Sequence, residues 1–191
     1  MKVYAVKKGK NPGVYNTWDE CKKEVDGFKG AEYKSFNNIT EANDYLQDKE
    51  IVVSNIRAYV DGSFNVKTNE YSFGAVLLMD GKESHFKKKF DDEEYAAMRN
   101  VSGEIKGAAF MINHLMKLGV KEVSIYYDYE GIEKWYNGKW KTNSDATKRY
   151  VEFAQKAKKV IKVNFVKVKS HSNDKYNDLA DRLAKDALGI K

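Results

Sequence analysis

Residues 71–79 form a long apolar, strand-forming run that stops at Asp80-Gly81, and 82–90 then resumes as a second strand. An Asp-Gly pair favours the tight turn whose twist joins neighbouring antiparallel strands. The middle of the chain is therefore committed to a hairpin, and the flanking segments must build around it.

Upstream, 57–61 reads as a short strand ending at Asp61, with Gly62 and Ser63 as turn formers. Downstream, Ser102 is the expected N-cap of a long helix. In that helix Ile105, Ala109, Ile112, Leu115 and Met116 recur at three-to-four spacing, and Gly119 ends it. A strand over 122–127 runs into Asp128. A short helix containing Ile132 and Trp135 follows, then a longer one from about 144 to 158, a strand over 162–168 and a helix over 174–188. The order β-β-β-α-β-α-α-β-α, a meander followed by strand–helix crossovers, implies an α/β fold with a mixed sheet and helices on its faces.

Residues 1–48 read as a separate small α+β module. Its first strand, 2–8, places Val3 and Ala5 on one side and Tyr4 and Val6 on the other. Asn11-Pro12-Gly13 marks a turn before Val14-Tyr15. Thr17 with Glu20 makes a capping box that opens a helix through Val25. A strand over 31–36 and a helix beginning at 40–46 complete it. So few residues give a marginal core, so the module must be compact. The join, 49–55, lacks the composition of a flexible tether and reaches about 25 Å at most. The remainder, 56–191, is the larger domain.

The net charge of +6 suggests a polyanionic partner, and its distribution says more. Residues 1–50 carry nine Lys/Arg and nine Asp/Glu, whereas 134–169 carry eleven Lys/Arg against Asp145 and Glu152 alone. Such a local excess suits a phosphate backbone. The single cysteine, Cys21, excludes an internal disulfide and is expected to be packed. The sequence shows no signal-peptide core and no membrane-length apolar run, so a cytoplasmic protein is expected.

Four acids stand where a sheet could gather them. Asp61 and Asp128 end neighbouring strands, Glu104 falls in the first turn of the long helix, and Asp181 lies one helical turn beyond Asn177. Singly, each has an ordinary explanation as a turn former, a helix-dipole acid or a solvent-facing residue. Together they would repel one another until divalent cations neutralise them. Oxygen-only donors suit magnesium or manganese, and no His/Cys cluster competes. Two such ions would serve an in-line phosphoryl displacement without a protein nucleophile.

At these residues the chain resembles the single-chain, type 1 ribonuclease H family. The resemblance is carried by AYVDGSFN at 58–65, FGAVLL at 73–78, SGEIKGA at 102–108, SIYYDYEGIEKW at 124–135 and VKSHSNDKYNDLADRLAKDAL at 168–188. It implies a ribonuclease H-like five-stranded mixed sheet with helices on both faces. It also implies endonucleolytic hydrolysis of the RNA strand of RNA–DNA hybrids, with 5′-phosphate and 3′-hydroxyl ends. The implied ligands of two Mg2+ ions, with Mn2+ as substitute, are Asp61, Glu104, Asp128 and Asp181. His171 takes the place of the family's loop histidine, which assists proton transfer or product departure.

Residues 1–48 resemble the hybrid-binding (viroplasmin-like) domain found ahead of such catalytic domains, through YAVKKGKNPGVYNTWDEC at 4–21 and GAEYKSF at 30–36. Its grip on the hybrid maps to Tyr4, Trp18 and Lys34, with a core-anchor role as the alternative for Trp18. By position, Gly62, Ser63, Asn65 and Asn100 are candidates to read 2′-hydroxyls. Thr142, Asn143 and Ser144, joined by Arg99, are candidates for a DNA phosphate pocket.

Two departures stand out. Asn177 replaces an acid that some relatives carry, leaving Asp178 as a stand-in, and the basic handle is short. Trp135, Trp140, Lys139 and Lys141 either keep part of its role or simply pack. No obligate protein partner is evident, and a monomer is expected. Two rival readings are a different nuclease or integrase on the same fold, and a hybrid-binding protein without catalysis.

Overall fold

The computed structural model describes residues 2–46, 54–168 and 174–190. The chain divides into two compact units, Met1–Ile51 and Val52–Lys191. No helix among the described residues is long and apolar enough to cross a membrane.

The first unit runs β1 (Val3–Lys8), β2 (Gly13–Tyr15), α1 (Trp18–Val25), β3 (Glu32–Phe36) and α2 (Ile39–Leu46). Its antiparallel sheet has the order β2-β1-β3. The alternation of β1 sends Val3 and Ala5 to a small core with Ala42, closed by Val14, Phe36, Tyr45 and Leu46. The Thr17–Glu20 capping box forms as read: the Thr17 hydroxyl accepts the Glu20 N–H, and the Glu20 carboxylate accepts the Thr17 N–H. Cys21 is fully buried, and that burial raises its thiol pKa.

The second unit adds β4 (Arg57–Asn65), β5 (Glu70–Met79), β6 (Lys82–Phe90), α3 (Glu93–Ala96), α4 (Asn100–Lys117), β7 (Glu122–Tyr127), α5 (Gly131–Tyr136), α6 (Asp145–Ala157), β8 (Lys162–Lys167) and α7 (Lys175–Ala187). The five-stranded sheet has the order β6-β5-β4-β7-β8. Strands β4, β5 and β6 are antiparallel neighbours, while β4–β7 and β7–β8 are parallel. Asp80 and Gly81 both take positive φ, 52° and 72°, as the hairpin requires. Ser54 is already tied to this unit, donating its N–H to Ser124 Oγ at 2.8 Å. Most of the expected join, 49–55, lies outside the described residues.

Alternation along the strands divides the core between two faces. Ala58, Val60, Phe73, Ala75 and Leu77 pack with Ile105, Ala108, Met111, Ile112 and Leu115 of α4, and α5 and α6 extend that layer. On the other face Tyr59 and Val76 meet Ala180, with Leu179 and Leu183 of α7 against them.

Three local expectations are corrected. Strand β4 does not end at Asp61. It continues through Gly62 and Ser63 to Asn65, because all nine of its residues pair with β5. What ends early is the β4–β7 ladder, which covers only Arg57 to Tyr59 against Ser124 to Tyr126. Ser102 is not an N-cap either. The unanticipated helix α3, capped by Asp92, sits just ahead of α4, and the Ser102 hydroxyl donates to the Tyr95 carbonyl. Helix α4 therefore starts at Asn100 after Arg99, which holds φ 56°. Glu104 consequently lies in the second turn rather than the first, with no helix-end role.

Candidate active site

The parting of β4 from β7 creates the site. Continuing the parallel register by two residues sets Asp61 level with Asp128, just past the end of β7. The sheet opens there, and side chains from both helical layers can enter.

Missing side chains bring those layers close. A Cβ on Gly62 would fall 2.2 Å from the Asn100 carbonyl oxygen and 2.6 Å from the Glu104 nitrogen. A Cβ on Gly103 would fall 1.9 Å from the Ser72 carbonyl oxygen. Helix α4 therefore lies backbone to backbone on β4 at this level, and Glu104 arrives beside Asp61. On the opposite face Gly74, the β5 partner of Asp61, has the Ala180 carbonyl oxygen 2.0 Å from its would-be Cβ. That contact draws in α7 and with it Asp181.

Asp61, Glu104 and Asp128 each offer a ligand atom, all within 4.8 Å of one another. Asp181 stands outside this trio, its Oδ2 accepting from Lys185 Nζ at 2.7 Å. Its charge is nevertheless felt at Asp61. Burial, then the Asp128 charge, push the Asp61 pKa from 3.8 up to about 7; Asp181 adds to the rise, while the Gly62 N–H and Lys185 oppose it. Glu104 is 2% exposed and is raised well above the ordinary range by burial, then by Asp128 and Asp61. One of its oxygens, Oε2, is buried without a hydrogen-bond partner. Buried carboxylates that repel, with an orphaned oxygen, are the donor set a hard divalent cation satisfies.

The other expected residues are scattered around this centre. Ser63 is buried in β4, and Asn65 holds the following turn by accepting the Lys67 N–H at 3.0 Å. Arg99 and Asn100 are exposed at the start of α4. Ser144 caps α6, its hydroxyl accepting the Thr147 N–H. Asn143, Ser144, Lys141 and Trp135 line one groove with Tyr129 and Met98; Thr142 is not among its lining residues. Trp135 packs, donating from Nε1 to the Lys141 carbonyl at 3.2 Å, whereas Trp140 is 39% exposed against it. Asn177 is buried, with Oδ1 unpartnered. His171 lies outside the described residues.

In the first unit Trp18 is 39% exposed and leans on Tyr4, ring centroids 5.7 Å apart. It is therefore no core anchor. Tyr33, which the sequence reading did not single out, flanks it at 5.6 Å. Its signal was alternation: Tyr33 pairs with Val6 on the Tyr4 face, whereas Lys34 pairs with Ala5 on the other. The structure thus groups Tyr4, Trp18 and Tyr33, and sends Lys34 toward Phe36. Lys185 was likewise missed, although its i+4 spacing from Asp181 was visible.

Comparison with known proteins follows this division. Residues 53–189 match the family model described as RNase H, and residues 2–46 match Ribonuclease H1 N-terminal domain. The chain belongs to the RNase H family. Ribonuclease H of Saccharomyces cerevisiae is 56% identical over 43 residues, which is 22% of this chain and only 12% of that protein. Ribonuclease H of Clostridium botulinum is 28% identical over 147 residues, covering 68% of this chain and 93% of the relative. The crystal structure of LC11-RNase H1, from a compost metagenome, in complex with RNA/DNA hybrid matches with a TM-score of 0.55 at 18% identity. It covers 70% of this chain and 99% of that one, a likeness of fold.

Proposed function

We propose that the chain is an endoribonuclease that hydrolyses the RNA strand of RNA–DNA hybrids with two divalent ions, Mg2+ or Mn2+, leaving 5′-phosphate and 3′-hydroxyl ends. The observation that carries it is the meeting of Asp61, Glu104 and Asp128 within 4.8 Å, with Asp181 close enough to raise the Asp61 pKa. Family membership and the hybrid in the LC11 complex support the substrate class.

The residues fit hard cations, because every donor is a carboxylate oxygen and Glu104 Oε2 lacks any protein partner. Asp61, Glu104 and Asp128 would hold one ion, and Asp61 with Asp181 the other. Bound there, divalent ions supply Lewis acidity that lowers the pKa of a water and offsets charge on the phosphoryl oxygens. The chain does the positioning. The Gly62 N–H donates to Asp61 Oδ1 at 2.7 Å and fixes that carboxylate. Burial of Glu104 excludes water from one wall. His171 is assigned the proton-transfer or product-release role.

Substrate contacts are assigned outward from the acids. Gly62, Ser63, Asn65 and Asn100 face the RNA strand and its 2′-hydroxyls. Arg99, Thr142, Asn143 and Ser144 take the DNA strand, beside the groove that carries Trp135 and Lys141. Tyr4, Trp18 and Tyr33 offer stacking surface for sequence-tolerant affinity, whereas Lys34, on the opposite face of the sheet, is not part of that surface. The deciding assay compares cleavage of hybrid, duplex RNA, duplex DNA and single strands with and without Mg2+. Cutting of duplex DNA with hybrids untouched, or binding with no cutting, would replace this reading with one of its rivals.

A further inference from the structure

The basic excess over 134–169 is not used up by the acid-lined site. Much of it is paired: Lys148 with Asp145, Arg149 with Glu94, Lys162 with Glu122 and Lys167 with Glu130. Lys158 and Lys159, exposed at the end of α6, belong instead to a separate pocket of about 340 Å3. Tyr136 and Asn137 at the end of α5 and residues 160–163 complete its walls, and no acid lines it. It lies at the opposite end of α6 from Ser144, about 20 Å away at 1.5 Å per residue.

Lysines at helix ends commonly satisfy terminal carbonyls, and that explanation is tested by those carbonyls. At α5 the Lys134 and Trp135 oxygens accept from the Lys139 and Gly138 amides. At α6 the Ala154, Lys156 and Ala157 oxygens accept from the Lys158, Lys159 and Val160 amides. Backbone amides satisfy these carbonyls, so none of them depends on the lysine ammonium groups. Lys158 lies over the Tyr136 ring, 5.1 Å from its centroid. Tyr136 is 3% exposed, and its hydroxyl is buried with no hydrogen-bond partner. Burial pushes that hydroxyl's pKa up to about 12, so it stays a proton donor at neutral pH.

We propose that this pocket is a phosphate-binding site, with Lys158 and Lys159 supplying charge and the Tyr136 hydroxyl donating to a phosphate oxygen once Lys158 swings off its ring. The ligand is a free phosphate compound or the backbone of nucleic acid running past the cleavage centre. The proposal is independent of the metal chemistry.

The test titrates the full chain in EDTA with inorganic phosphate, with pyrophosphate and with a long hybrid, following the backbone amide resonances of Lys158, Lys159 and Val163. Wild type should show a saturable shift that the Lys158→Gln/Lys159→Gln variant loses and Tyr136→Phe weakens. Response to the small anions identifies a free phosphate ligand. Response to hybrid alone identifies the backbone, and the salt dependence of hybrid binding should then fall by about 1 per lost contact in the double variant. No shift with any of the three, or an unchanged titration in either variant, overturns the assignment.

Discussion

Replacing Asp61 with Asn should make the metal-free protein more stable while removing its chemistry. In the folded state the Asp61 pKa stands at about 7 against 3.8 for a free carboxyl. Between those values the folded chain holds a proton that the unfolded chain releases, so stability falls as pH rises and levels off above about pH 7. The displacement corresponds to about 4 kcal/mol for the ionised carboxylate. Asp61 is 9% exposed, so solvent screens little of it. The Asn amide keeps an oxygen to accept the Gly62 N–H, and the variant should gain about 2–4 kcal/mol at pH 8. In calorimetry with EDTA the gain is a rise in Tm on the order of 10 °C at pH 8, vanishing toward pH 4. Adding Mg2+ should reverse the ranking, because a ligand of the folded state stabilises only a protein that still binds it. A difference between the two proteins that does not change with pH, or equal stabilisation of both by Mg2+, would refute the reasoning.

Gly103→Ala should cost at least about 3 kcal/mol in denaturant unfolding, because its Cβ meets the Ser72 carbonyl at 1.9 Å; a neutral result would mean α4 can slide off the sheet freely. Asp128→Asn should abolish Mg2+-dependent cleavage while retaining hybrid affinity, and normal turnover would remove its ligand role. Trp18→Ala should weaken hybrid binding by about 1–3 kcal/mol with little change in unfolding, since the ring is 39% exposed. Parallel losses of affinity and stability would return Trp18 to a packing role.

The element order of the larger unit was legible because its periodicities are strong: the 71–79 run, the Asp80-Gly81 turn and the heptad-like spacing from Ile105 to Met116 each have one physical solution. The acids could be nominated for the same reason, since strand ends in such sheets converge. What the sequence hid was tertiary. Gly62-Ser63 looks like a turn, yet Gly62 is there to admit α4, which only the helix's position reveals. Ser102 looks like a cap, yet its hydroxyl closes the preceding helix, which was itself too short to detect. The Asp181–Lys185 spacing and the alternation of Tyr33 and Lys34 were visible in the sequence. That the two charged side chains pair, and that Tyr33 shares the face of Tyr4, depended on distance and on the β1–β3 register.

The forked ladder has a last consequence at Gly62. An amide at the edge of an interrupted sheet would ordinarily wait for a carbonyl from the next strand; here a carboxylate receives it. Whatever happens to that carboxylate is therefore transmitted into the main chain. Hydrogen exchange at this one amide should slow when cations load the centre, making the backbone itself a reporter of occupancy.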